Sequence, residues 1–66
     1  MTIRMLRSRA RRIARYILAR KLDWYGWEAR EQSLFIMGAG AAFGWSETET
    51  ARLADAVSNL MLSGEF

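Results

Sequence analysis

The sequence predicts an all-α fold, a small three-helix domain in which a long basic N-terminal helix packs on a helical hairpin. Three observations predict it. Apolar residues recur at helical spacing through the first third, at Ile3, Leu6, Ala10, Ile13, Ala14 and Ile17, within one arc of roughly 100° at about 100° per residue. A second segment starts polar at Glu28 and turns apolar from Leu34 to Trp45. A third opens on Ser46 with Glu49 three residues later, the Ser-x-x-Glu capping box, and carries Leu53, Val57, Leu60 and Met61 on one stripe. With 66 residues, 52% of them apolar, the chain is expected to form one domain over residues 1–66 with a small stability margin, since so short a chain buries only about 60% of its unfolded surface. Neither cysteine nor proline supplements the core, which leaves room for a partner or self-association.

The first helix is expected over residues 3–24. Its apolar stripe, extended by Trp24, faces the core. Arg4, Arg7, Arg11 and Arg15, spaced by three and four, stack as a ridge on the other side, and Arg9 and Arg12 extend that ridge toward Tyr16. From Arg4 to Arg15 the ridge is roughly 17 Å long. Leu18 and Leu22 continue it as apolar positions, so the C-terminal half is expected to be buried and the N-terminal half to project. Gly26 is expected to close the helix in the left-handed cap conformation. The aromatics Trp24, Tyr25 and Trp27 beside it read as core closure at a helix junction, or as a base-stacking or membrane-interface cluster.

The second helix is expected over residues 27–44, apolar on every side from Leu34 and therefore buried on every side. Gly38, Gly40 and Gly44 each cost about 1 kcal/mol in a helix interior. Close approach by another helix explains them, with Gly40 and Gly44 in GxxxG spacing; if that helix belongs to a second copy, the protein is a homodimer. Phe35 to Ala42 also has the look of the opening of a dinucleotide-binding fingerprint, but the strands that such a site requires have no room here. The third helix, residues 46–63, starts at the Ser46 cap and stops at Gly64; Arg52 is placed to pair with Glu49 and Asp55. Phe66 follows, to dock or to fray.

Charge is divided sharply along the chain. Residues 1–22 hold eight basic residues and no acid, whereas residues 23–66 hold two arginines against seven acids. Such asymmetry suits an anionic partner for the basic part, or pairing of basic end to acidic end between copies. Arg15, Arg20 and Lys21 interrupt the apolar core that a signal peptide needs, and the longest run of apolar residues and glycine, Leu34 to Trp45, falls short of the about 20 residues of a spanning helix. The lack of cysteine is compatible with a reducing cytoplasm, the expected location.

No histidine or cysteine is present, so the usual zinc ligands, the thiol nucleophile and the common general base are missing. No enzymatic activity, metal or cofactor is expected. The second and third helices share the connection length of a helix-turn-helix, yet Glu47 and Glu49 at the start of its second helix would meet phosphates. Any nucleic-acid contact therefore belongs on the first helix. The expected function is binding of nucleic acid, or of the nucleic-acid groove of a nucleoprotein complex, through Arg4, Arg7, Arg9, Arg11, Arg12 and Arg15. The alternative is an inhibitor, adaptor or small subunit, of phage or mobile-element type by analogy only, that docks the same helix on an acidic protein surface. A peripheral membrane helix with Trp24 and Trp27 at the interface is a weaker third reading.

Overall fold

A computed structural model describes residues 2–64. Phe66 lies outside the described residues. The order is α1 (Ile3–Ala19), a short 3₁₀ turn (Trp24–Gly26), α2 (Ala29–Phe43) and α3 (Glu47–Ser63), with no strand among the described residues. The three-helix, all-α expectation holds, and α2 and α3 form the hairpin on which α1 packs. Within it α3 is the middle element: α1 and α2 each lie along α3 and come close to one another at only a few points.

The core follows from that arrangement. Leu53, Val57 and Met61, on one stripe of α3, are buried against Ala10, Ile13, Ala14 and Ile17 of α1 and Ile36 of α2, with Trp24 closing one end. The small Ala10 and Ala14 are fully buried, as a face pressed close to a neighbouring helix favours. The burial expected for the C-terminal half of α1 is not found: Tyr16 is 50% and Leu18 48% exposed. A helix that leans on one neighbour covers one stripe, and Leu18 lies on the far side of it.

Helix α1 is capped by Thr2, whose hydroxyl accepts the Met5 N–H at 3.1 Å. It ends at Ala19, five residues short of the expected boundary at 24. The Leu22 N–H bonds the Ile17 carbonyl and the Lys21 N–H the Leu18 carbonyl, both at 3.1 Å, the paired bonds of a Schellman turn. The left-handed residue of that turn is Lys21, φ 54°, not Gly26. The early stop turns the chain so that Trp24 enters the core. Gly26 is a close-approach position instead: a Cβ there would fall 2.7 Å from Asp23 Cγ.

Helix α2 starts at Ala29, two residues after the expected start, with the Glu31 carboxylate accepting the Glu28 N–H at 3.2 Å. Only Ile36 and Gly40 on it are buried. The expectation of burial on every side fails because α3 covers one face and α1 touches only its edge; Leu34 is 62% exposed. Gly44 lies past the helix end, not within it, as the left-handed residue (φ 78°) of a second Schellman turn in which the Trp45 N–H bonds the Gly40 carbonyl at 2.9 Å.

Helix α3 matches its expected limits. The Glu49 N–H donates to Ser46 Oγ at 3.2 Å, the Ser46 N–H donates to Glu49 Oε1 at 3.3 Å, and Gly64 (φ 70°) closes the other end. Thr50, the one buried polar side chain among the described residues, is satisfied by the Ser46 carbonyl at 2.8 Å. Arg52 forms no ion pair with Glu49 or Asp55; Glu49 is engaged by Arg9 of α1 instead.

Candidate functional site

The six candidate arginines of α1 divide into two sets. Arg4, Arg7, Arg11 and Arg15 are exposed and form no ion pair among the described residues. Their spacing by three and four puts them on adjacent turns, so they form a single cationic ridge; it flanks the buried stripe instead of opposing it as expected, with Arg7 and Arg11 lying beside Leu60 and Ser63 of α3. No acid is carried by this helix to offset them.

Arg9 and Arg12 do not extend that ridge. They turn toward the α2–α3 connection, where two aromatic rings outside the helix draw them in. The Arg9 guanidinium lies 4.5 Å from the centre of the Trp45 ring and 3.4 Å from Glu49 Oε2. Arg12 lies 5.5 Å over Phe43, and Phe43 and Trp45 stack on each other at 4.7 Å. The sequence Arg9, Trp45, Phe43, Arg12 is thus a ladder of cation and ring faces that ties α1 to the hairpin. Glu49 at its foot has its carboxyl held below the ordinary value, first by the Ser46 backbone N–H and hydroxyl and to a smaller extent by Arg9. Arg20 repeats the motif over Tyr16 at 5.3 Å.

The junction aromatics serve the core. Trp24 is 3% exposed and packs on Trp27, which packs on Phe35 at 5.3 Å, and Phe35 reaches Tyr16 at 6.3 Å. Gln32 donates to the Trp24 carbonyl at 2.8 Å, and the exposed Tyr25 ring is anchored by its hydroxyl, which donates to the Met61 carbonyl. Trp24 is buried and Trp27 half-buried, as core closure requires.

The three candidate glycines are not brought together. Gly40 is buried against Thr50 of α3, so the close approach it permits is intramolecular. Gly44 is a cap, and Gly38 stands on the open face of α2 with nothing within 4 Å of where a Cβ would be. Gly38 lines an apolar groove of about 400 Å³ between α1 and α2, walled by Ile13, Tyr16, Leu34, Phe35 and Phe43, with Arg12 at its rim. This groove was not legible in the sequence; its signal is the uncharged stretch from Gln32 to Trp45 on a helix with only one neighbour along its length.

Among the described residues no three His, Cys, Asp or Glu side chains gather as metal ligands, and no helix is long and apolar enough to cross a membrane. Comparison with protein-family models, with curated proteins and with solved structures yields no match to this chain.

Proposed function

We propose that this is a small non-enzymatic binding protein that contacts nucleic acid, or the nucleic-acid groove of a nucleoprotein complex, through the ridge of Arg4, Arg7, Arg11 and Arg15. The observation that carries the reading is that all four arginines are exposed, on one side of one helix, with no ion pair to a carboxylate among the described residues. Arginine's planar fork grips phosphate oxygens in pairs of hydrogen bonds. A solvated helix that served solubility alone would mix signs. Arg9 and Arg12 support the ridge by fixing α1 on the hairpin, since each is held over a ring.

The test is fluorescence anisotropy of labelled duplex DNA, single-stranded DNA and an RNA hairpin, with the wild-type chain and a variant in which Arg4, Arg7, Arg11 and Arg15 are glutamate. Binding by the wild type that the variant loses supports the reading. Absence of binding at low salt to all three probes refutes it.

A second reading has the same ridge docked on an acidic protein surface. The apolar groove beside α1 favours it, because phosphate contact makes no use of Leu34, Phe35 or Phe43. A stoichiometric complex with a protein, unaffected by competing duplex, distinguishes this from the first.

A further inference from the structure

The outer face of α2 carries no charge from Gln32 to Trp45, and the fold leaves it open. Leu34, Gly38 and Ala42 are all exposed and fall one turn apart on that face. A glycine in an exposed helix interior costs about 1 kcal/mol relative to alanine. Thr50 accounts for Gly40 and the turn accounts for Gly44, whereas nothing inside the monomer accounts for Gly38.

We infer that a second copy of the chain covers this face, in a two-fold dimer whose α2 helices cross antiparallel at Gly38. Size and charge select this occupant. In an antiparallel crossing centred on Gly38, each residue before Gly38 meets the residue equally far after it on the other copy. Leu34 therefore lies across the partner's Ala42, large against small, and the facing glycines let the two backbones approach closely, as small residues do at helix crossings in membranes. Exposed Glu31, two turns before Gly38, reaches the far end of the partner's α2, where Arg12 lies over Phe43. The two-fold axis repeats every one of these contacts, so one Glu31 and one Arg12 per copy give two opposed pairs. A parallel pairing would instead set Glu31 against Glu31 and Arg12 against Arg12. Phe43, 48% exposed, and Tyr16, 50% exposed, edge the groove that the partner's Leu34 enters. This dimer does not depend on what the arginine ridge binds.

At about 22 Å of helix length, the interface falls at the small end of specific interfaces, below about 1,200 Å² in total, where association is weak. The test is sedimentation equilibrium of the full chain, from on the order of 10 to 500 µM to bracket such an affinity. Wild type, Gly38→Leu, Glu31→Arg and the double variant Glu31→Arg with Arg12→Glu are compared, with circular dichroism on each. A Cβ at 38 meets nothing within 4 Å in the monomer, and circular dichroism on the variant establishes that a change in sedimentation reports on the interface and not on the fold. The wild type is expected to dimerise reversibly, Gly38→Leu to weaken the dimer at least roughly tenfold, Glu31→Arg to weaken it, and the charge-swapped pair to recover part of the loss. A wild type that stays monomeric throughout overturns the inference. So does a dimer unaffected by Gly38→Leu, or a swap that rescues nothing. Capture of an acidic amphipathic peptide by a wild type that remains monomeric assigns the face to another protein, and overturns it as well.

Discussion

Gly40 of α2 lies directly against Thr50 of α3: a Cβ on Gly40 would fall 2.8 Å from Thr50 Cβ, and nearer still to its Oγ1 and Cγ2. Thr50 has little freedom to move aside, since it is 1% exposed and its hydroxyl donates to the Ser46 carbonyl. Gly40→Ala should therefore destabilise the protein by about 1 to 3 kcal/mol, the overpacking cost exceeding the gain in helix propensity. Gly38→Ala, in open space two residues away, should stabilise the monomer by about 0.5 to 1 kcal/mol. Urea unfolding at low protein concentration checks both, and equal effects of like sign at the two sites would contradict the packing described.

The turn after α1 makes a second test. Lys21 holds a left-handed conformation, φ 54°, which costs a side-chain-bearing residue roughly 1 to 2 kcal/mol. Lys21→Gly should raise the unfolding free energy by about 1 kcal/mol, measurable in the same titration. A loss of stability would mean that the Lys21 stem packs where the turn alone is thought to matter.

These two tests mark where the sequence was legible. Helix α3 could be read almost to the residue because Ser46 and Glu49 signal its start chemically and Leu53, Val57 and Met61 form one buried stripe. The end of α1 could not, because a lysine in the left-handed region announces nothing, while Gly26 announces a left-handed cap that it does not make. Burial of α2 was misread for a different reason. Apolar composition tells how much surface a helix could bury, and only the placement of α1 against α3 decides how much is covered. Periodicity gave the ridge of Arg4, Arg7, Arg11 and Arg15, since exposure follows angle. It could not give the diversion of Arg9 and Arg12, which depends on Trp45 and Phe43 arriving from more than thirty residues away.

The capping box of α3 sets an acid limb. Glu49 has its folded pKa depressed from the ordinary 4.5, chiefly by the Ser46 N–H and hydroxyl and secondarily by Arg9. A depressed carboxyl contributes stability that is present above its unfolded pKa and is lost as pH falls through the folded one. Thermal unfolding followed from pH 6 to about 2.5 should show wild type above Glu49→Gln at the upper end, with the two converging as the carboxylate protonates. A gap that persists to the lowest pH would show that the charge of Glu49 is irrelevant.

Removal of the cap hydroxyl should be felt where Glu49 is ionised. Ser46→Ala deletes the acceptor of the Glu49 N–H and should cost about 0.5 to 2 kcal/mol, read from denaturant midpoints at neutral pH. No change would show that water replaces the cap without loss.

The most direct test of the arginine ridge is the salt dependence of duplex binding. Four guanidinium groups, each neutralising one phosphate, correspond to a slope of log K against log salt of about −3.6 on B-form DNA. The wild type should give that slope in an anisotropy titration between about 50 and 200 mM salt, and changing Arg7 and Arg11 to glutamine should reduce it by about 1.8. A flat salt dependence, or a slope unaltered by Arg7→Gln with Arg11→Gln, would contradict a ridge that holds phosphates.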